Sequence, residues 1–207
     1  QSHPALQAFI SLLSLPDSRF ISEDVLALLD VPVVAARFDI NEEGLRYLRQ
    51  WVNESGVRWG IDDDNVQEFS LPPTGQHTWA FGLTRMLLGY AMESSQGEWK
   101  DVLPYDESTG LIAELVGHLA SLLMQLNRWK RELMQPRPLD AWQPICREML
   151  TDFFLPDSDT EAAMALIEQQ WQAIIDEGIS SHYDQPIPLS ILRDELTQRL
   201  DQERISQ

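Results

Sequence analysis

Residues 37–56 read RFDINEEGLRYLRQWVNESG, and this stretch decides the fold class. Its apolar side chains recur at the helical period, while arginines and a glutamine fill the opposite face; the apolar positions are Leu45, Leu48 and Val52, widened by Tyr47 and Trp51. Asn41 can cap the free N–H groups of the first turn, and Gly56 stands where a left-handed residue commonly ends a helix. The stretch therefore predicts an amphipathic α-helix between Asn41 and Gly56.

A second amphipathic stretch, residues 75–92, reads GQHTWAFGLTRMLLGYAM. Its apolar residues again follow the helical period: Trp79, Leu83, Met86, Leu87 and Tyr90. Gly82 and Gly89 lower the helix propensity, which predicts the close approach of a neighbouring element. Arg85 lies among apolar residues on another side of this predicted helix. A guanidinium that is desolvated there needs either an internal carboxylate or a contact with a partner protein.

The segment between these two stretches carries the acidic run Asp62–Asn65. An EF-hand calcium loop requires an oxygen ligand at its fifth position and glycine at its sixth. Counted from Asp62, those positions hold Val66 and Gln67, so the calcium pattern fails. We interpret the run as a solvated acidic loop.

The rest of the chain is also helical in pattern and shows no alternating strand pattern longer than a few residues. Ser158 to Glu161 has the form of a capping box, which predicts a helix start. The further predicted helices cover residues 4–14, 22–29, one turn in 33–38, 110–134, 139–154, 158–178 and a last helix from 189. We predict an all-α fold, an irregular bundle of about eight helices. Residues 1–207 are predicted to form a single helical domain, with helical parts 1–92 and 110–207 joined by a loop at 93–109.

The net charge of −18 is the strongest constraint from composition. Nucleic-acid binding normally requires a basic surface that displaces counterions from phosphates. Between Arg147 and Arg193 the chain has no Lys or Arg and nine acidic residues. One local basic cluster remains as a candidate DNA contact: Arg128, Lys130, Arg131 and Arg137. The sequence predicts weak DNA binding or none for this chain alone.

No catalytic motif is found in the sequence. There is no phosphate-binding loop followed by lysine, no His-Glu-x-x-His and no Gly-x-Ser-x-Gly. His118 has no second ligand at helical spacing and is predicted to be a polar boundary residue, and Cys146, the only cysteine, is predicted to be a buried inert thiol. We therefore expect no enzymatic activity, no metal and no cofactor.

Candidate contacts for a partner protein are arginines set among apolar residues and aromatic residues in the predicted loop: Arg37, Arg58, Arg85, Trp99 and Tyr105. A membrane is not expected as a partner, because the longest apolar run, Leu111–Leu126, contains Glu114 and His118 and is short for a bilayer. The single cysteine fits a reducing cytoplasm. Since the chain starts with Gln1 rather than Met, we expect it to be a piece of a longer protein.

The chain resembles the RecC family, the gamma subunits of the bacterial exonuclease V (RecBCD) complex. The resemblance covers essentially the whole chain and is carried by long irregular segments: HPALQAFISLLSLPDSRFIS at 3–22, RFDINEEGLRYLRQWVNESG at 37–56, RWGIDDDN at 58–65 and TRMLLGYAM at 84–92. The resemblance implies a subunit of a machine for DNA repair and recombination that unwinds and degrades duplex ends, in which RecC recognises Chi. Within it, this chain resembles the helical 2B-type insertion domain of a superfamily 1 helicase.

The expected partners are therefore RecB-like and RecD-like subunits, with DNA bound through the whole complex. Two interpretations of the chain remain. It is either a packing and interface domain, or a DNA-guiding surface near the duplex entry that uses the four basic residues. The negative charge favours the first interpretation. A free-standing helical adaptor is the alternative outside the family.

Overall fold

A computed structural model of the 207-residue chain describes residues 3–58, 60–61, 78–86 and 105–206, without the side chains of 105–109 and 204–206. The regular secondary structure of these residues is helical. One isolated antiparallel bridge joins Arg137 to Ile187. The predicted all-α fold class is confirmed.

Ten α-helices occur in the described residues, with a short 3-10 turn at Leu15–Asp17 after the first. In chain order they are α1 (Pro4–Leu12), α2 (Ser22–Leu29), α3 (Pro32–Arg37), α4 (Glu42–Ser55), α5 (79–86), α6 (Tyr105–Leu133), α7 (Leu139–Trp142), α8 (Ile145–Phe153), α9 (Glu161–Ser180) and α10 (Leu189–Ser206).

The chain forms two compact units, each assembled from separate segments. The first unit comprises Gln1–Ser18, Val31–Arg37 and Gln125–Gln207, and the second comprises Arg19–Asp30 and Phe38–Met124. This partition does not follow the predicted parts 1–92 and 110–207, because α6 is one continuous helix that contributes residues to both units. That the whole chain acts as a single domain stays a prediction.

In the second unit, α4 begins and ends where the sequence predicts. The Asn41 Oδ1 accepts a hydrogen bond from the Gly44 N–H at 2.8 Å, and Gly56 adopts φ 76°, a left-handed conformation that glycine reaches without strain. The close approach predicted at Gly82 is confirmed, since a Cβ there would overlap the Val57 side chain and lie 3.2 Å from Trp51. Gly89 lies outside the described residues.

The Asn41 cap provides a first testable prediction. Asn41→Ala removes the acceptor for the Gly44 amide, and we expect the free energy of unfolding to fall by about 1 kcal/mol. Urea denaturation followed by circular dichroism measures the change. Asn41→Asp is the matched control, because its carboxylate keeps the acceptor and should leave stability near the wild-type value. Equal losses in both variants would contradict the capping role.

The second unit also contains a tryptophan anchor at the start of α5. Trp79 is fully buried, and its indole N–H donates to the Phe20 carbonyl at 3.0 Å. Its backbone N–H donates to the Gly60 carbonyl at 2.9 Å, while the Gly60 N–H donates to the Arg19 carbonyl at 2.7 Å. These bonds connect α5 to the segments that precede α2 and follow α4.

The first unit is built around two tryptophans that are linked by hydrogen bonds. Trp171 on α9 donates its indole N–H to the Trp142 carbonyl at 3.2 Å, and Trp142 donates its own indole N–H to the Ile187 carbonyl at 3.0 Å. Both side chains are almost completely buried. Ile187 also exchanges backbone hydrogen bonds with Arg137, so the loop before α10 is held against the end of α6.

Several predicted helix boundaries are wrong. The helix predicted over 139–154 is two helices, α7 and α8, with Pro144 at the break between them. The capping box does not form at α9, because the Asp157 carboxylate accepts from the N–H and the hydroxyl of Thr160, both at 3.0 Å. α6 begins at Tyr105 inside the predicted loop, and α9 continues past Gly178 to Ser180.

The expectation that the apolar run Leu111–Leu126 is too short and too polar for a bilayer is wrong. Gly110–Leu133 is a 24-residue helical segment with a window of mean hydropathy 1.2, which by length and composition alone is enough to cross a membrane. The core helix of a globular protein meets the same criteria. Leu119, Leu122 and Trp129 on α6 are almost fully buried within this chain.

Candidate functional site

The basic cluster predicted as a DNA contact lies at the end of α6, in the first unit. Arg128 pairs with the Asp152 carboxylate at 3.1 Å and lies over the Trp129 ring, 5.1 Å from its centroid. The same carboxylate oxygen accepts the Trp129 indole N–H at 2.8 Å. Asp152 therefore holds Arg128 and Trp129 together, and the Arg128 charge is partly neutralised.

Lys130 is oriented away from solvent. Its residue is only 3% exposed, and the ammonium donates to the Ser18 carbonyl at 2.7 Å. This lysine joins the end of α6 to the turn after α1. A phosphate could not reach its ammonium without displacing that packing, so the geometry needed for a surface DNA contact is not found at Lys130.

Arg137 is also engaged within the first unit. It pairs with the Glu132 carboxylate at 2.7 Å, donates to the Glu132 carbonyl at 2.8 Å and lies 5.2 Å from the Trp142 ring centroid. Arg131 is exposed and has no ion pair with any residue that the structure describes. The four basic residues therefore do not form one open basic surface. Contact between DNA and Arg128, Arg131 or Arg137 stays a prediction.

The arginines predicted to contact a partner protein are exposed. The Arg37 Nε donates to the Thr151 carbonyl at 3.1 Å in the first unit. In the second unit, the Arg58 backbone carbonyl accepts the Ser22 N–H at 2.9 Å, and the Arg85 guanidinium lies 6.0 Å from the Phe81 ring centroid. Arg85 is exposed in this chain and not desolvated, so the alternative of a buried internal ion pair does not fit, and the alternative of a partner contact stays a prediction.

The two aromatic candidates cannot be placed in the same way. Trp99 lies outside the described residues. Tyr105 is the first residue of α6, and its side chain lies outside the description. Their contact with a partner protein stays a prediction, as it does for Arg37, Arg58 and Arg85.

The second unit contains an open groove between α2 and α4 that the sequence did not predict. Its volume is about 480 Å³, and it is lined by apolar residues, by Ser22, Glu23 and Asn53, and by two arginines, Arg49 and Arg58. Arg49 forms an ion pair with Asp30 at the end of α2. Arg49 lies on the polar face predicted for α4, but nothing in the sequence indicates that Asp30 is its partner.

The remaining candidates for chemistry are Cys146 and His118. Burial raises the pKa of the Cys146 thiol far above its ordinary value, and the nearby Glu168 carboxylate raises it further, which disfavours the thiolate, the nucleophilic form. His118 is half-buried, with its Nε2 4.0 Å from the Asp39 carboxylate, which fits the predicted boundary position. Within the described ranges, no three His, Cys, Asp or Glu residues are grouped to hold a metal ion.

Comparison with known proteins identifies one family. The family model described as "RecBCD enzyme subunit RecC fourth domain" matches residues 2–204. The chain is 80% identical to RecBCD enzyme subunit RecC of Escherichia coli (strain K12) over 207 residues, which are 100% of this chain and 18% of that protein.

More distant relatives carry the same name. The chain is 32% identical to RecBCD enzyme subunit RecC of Haemophilus influenzae over 203 residues, 97% of this chain and 17% of that protein. It is 34% identical to the corresponding subunit of Mycobacterium tuberculosis (strain ATCC 25618 / H37Rv) over 143 residues, 69% of this chain and 13% of that protein. The chain thus spans less than a fifth of the length of these relatives. It belongs to the RecC family and corresponds to the fourth domain of the RecBCD enzyme subunit RecC.

Proposed function

We propose that this chain is a non-catalytic structural and interaction domain of a RecC-type subunit. In this proposal the subunit works in the cytoplasm with RecB-like and RecD-like partners, in the repair of DNA double-strand breaks by homologous recombination. The complex unwinds and degrades DNA ends, and Chi recognition belongs to the RecC-type protein as a whole. Membership of the RecC family supports this assignment and replaces the alternative of a free-standing adaptor.

The proposal rests mainly on the contacts that the basic residues at the end of α6 make inside the first unit. Lys130 holds a backbone carbonyl, and Arg128 and Arg137 hold carboxylates of the first unit. Cations that are engaged inside a domain release few counterions from DNA, and counterion release supplies most of the affinity for phosphates. Together with the net charge of −18, this favours an internal packing role for the cluster over a DNA-binding role.

The fold supports a more specific assignment. An all-α domain without a phosphate-binding loop fits the 2B-type insertion of a superfamily 1 helicase, which supplies packing surfaces and no ATP chemistry. We propose that assignment for this chain on the basis of its helical fold and its family membership.

A second candidate function is a DNA-guiding surface, and one observation favours it. Arg131 is exposed, and the Arg128 side chain is 55% exposed in spite of its ion pair. Two arginines near each other on one helix could contact the backbone of a duplex near its entry to the complex.

Fluorescence anisotropy with a labelled forked DNA separates the two functions. For the chain at low salt we expect a dissociation constant weaker than about 100 μM, because its charge opposes even non-specific binding. Arg128→Glu and Arg131→Glu should then change nothing measurable. Tight binding that weakens steeply with salt and is lost in both variants would establish the guiding surface and refute the packing role.

Affinity capture tests the interaction role directly. The tagged chain is mixed with purified RecB-like and RecD-like subunits, and we expect it to retain at least one of them. A domain unrelated to the complex serves as the control. A role in subunit contact would be contradicted if neither subunit were retained by the chain alone or by the full-length RecC-type protein that contains it.

A further inference from the structure

The groove between α2 and α4 carries two charged side chains of opposite sign that do not pair. Glu23 lies on the first turn of α2, Arg58 follows α4, and both line the groove. The Ser22 N–H donates to the Arg58 carbonyl at 2.9 Å, so the two backbone segments are adjacent. Both charged residues are exposed, yet neither forms an ion pair with the other or with any residue that the structure describes.

The unpaired state of Arg58 does not come from a shortage of carboxylates. The chain has 33 acidic residues against 15 basic ones, and Arg49 in the same groove is already paired with Asp30. Complementary charges across a protein interface fix the register of the two partners. Arg58 and Glu23 therefore offer a second molecule one positive and one negative contact in the same groove.

Apolar side chains form the floor of this groove. Leu26, Val52 and Val57 line it and are almost fully buried, while Ile21, which also lines it, is 40% exposed. An apolar centre with charged residues around it is the usual arrangement of a protein–protein interface. The groove thus combines an apolar contact with two charges of opposite sign.

We propose that this groove is the docking site for a polypeptide segment of a partner subunit that carries one acidic, one basic and one apolar side chain. The acidic side chain pairs with Arg58, the basic one pairs with Glu23, and the apolar one packs against the floor. The proposal rests on the interaction role proposed above and names the chemistry of the partner at one surface.

The two charges favour a protein over a nucleic acid as the occupant. A DNA backbone carries only negative charge, so it would gain a contact with Arg58 and be repelled by Glu23 in the same groove. A polypeptide can present charges of both signs. The groove volume of about 480 Å³ lies in the range of sites that hold a small ligand, which suits a few side chains rather than a duplex.

The polar part of the lining favours a partner subunit over another part of the same polypeptide. Permanent interfaces resemble the apolar core of a domain, whereas interfaces between chains that also exist apart are more polar. Charges that are buried permanently also cost free energy of desolvation. The proposed function supplies such chains, since it places this domain in a complex with RecB-like and RecD-like subunits.

Charge reversal at each of the two residues tests the proposal. The full-length RecC-type protein is mixed with purified RecB-like and RecD-like subunits, and the dissociation constant is measured at about 0.15 M salt. Arg58→Glu should raise the dissociation constant about tenfold, and Glu23→Lys should do the same, because each change places like charges opposite one another. Ile21→Ala should raise it about threefold through the lost apolar contact.

Arg46→Glu and Asp24→Lys are the matched controls. They make the same changes of charge on α4 and α2, at exposed residues that do not line the groove. Each should change the dissociation constant by less than about twofold. All of these variants should keep the Tm of the full-length protein within about 2 °C of the wild-type value, because the residues are exposed. Equal weakening by the controls and the groove variants would show attraction by overall charge alone and would overturn the proposal.

The sign of the Glu23→Lys effect distinguishes other occupants. If Arg58→Glu weakens binding while Glu23→Lys strengthens it, for the subunits or for DNA, the occupant carries only negative charge and the proposal is wrong. If Arg58→Glu lowers the Tm of the free full-length protein by more than about 5 °C and leaves assembly unchanged, the same polypeptide fills the groove, which also refutes the proposal.

Failure of this inference is separable from failure of the proposed function. If the subunits bind the wild-type protein and every groove variant equally well, no partner docks in the groove, and the interaction role stands without it. If the wild-type full-length protein retains neither subunit, the interaction role and the docking site are both refuted.

Discussion

Replacing Trp142 with alanine is expected to lower the free energy of unfolding by about 4 kcal/mol. The side chain is completely buried, and its loss leaves a cavity at the centre of the first unit. The indole also donates to the Ile187 carbonyl at 3.0 Å and lies under the Arg137 guanidinium. Since a domain is stable by only about 5–15 kcal/mol, this single change should remove a large fraction of that stability.

Two controls separate the contributions of Trp142. Trp142→Phe keeps most of the ring and removes the N–H donor. Beyond the effect of the smaller volume, it should lower the free energy of unfolding by only about 1 kcal/mol, because the Ile187 carbonyl still accepts the Arg137 backbone N–H at 3.1 Å. Tyr183→Ala removes an aromatic ring that is 50% exposed and should change stability by no more than about 0.5 kcal/mol.

The measurement is urea denaturation followed by circular dichroism at a helical wavelength. Tryptophan fluorescence is unsuitable as the only signal, because the substitution removes one of seven emitting residues. A loss below about 1.5 kcal/mol for Trp142→Ala would contradict the central position of this residue, because a fully buried tryptophan normally costs at least twice that.

The sequence predicts α4 well because local chemistry determines both of its ends. An asparagine cap needs only the three residues that follow it, and a left-handed glycine needs only its own backbone. The prediction fails at the start of α9, where two local patterns compete. At α9 the Ser158–Glu161 pattern is present, but Asp157 lies one residue earlier and its carboxylate binds Thr160 instead. Short-range hydrogen bonds from an Asp side chain to nearby backbone groups can compete with helix capping in this way.

The basic cluster shows a different kind of failure. The four cations are close together in the sequence, but the helical period places those on α6 on different sides of the helix. Lys130 follows Leu126 by four residues and Leu123 by seven, so it lies on the buried side of α6. Arg131 is one residue further and faces solvent. Periodicity therefore predicts the burial of Lys130, whereas its acceptor, Ser18, is 112 residues distant and is known only from the fold.

The second prediction with a large effect concerns Lys130 itself. We expect Lys130→Glu to lower the free energy of unfolding by about 3–5 kcal/mol, because it places a negative charge in a buried position facing the Ser18 carbonyl. Lys130→Met keeps the aliphatic stem and removes the charge, so it should cost about 1–3 kcal/mol for the lost hydrogen bond. Denaturation by urea gives both values.

Arg131→Glu is the matched control, since it makes the same change of charge one residue away on the exposed side of α6. It should alter stability by no more than about 0.5 kcal/mol. Equal effects at positions 130 and 131 would show that Lys130 is accessible to solvent and would return it to the candidate DNA contacts. If Lys130→Glu is much less stable than Arg131→Glu, as we expect, a loss of partner or DNA binding in Lys130→Glu is explained by unfolding of the first unit. Only Arg131→Glu then tests a surface contact.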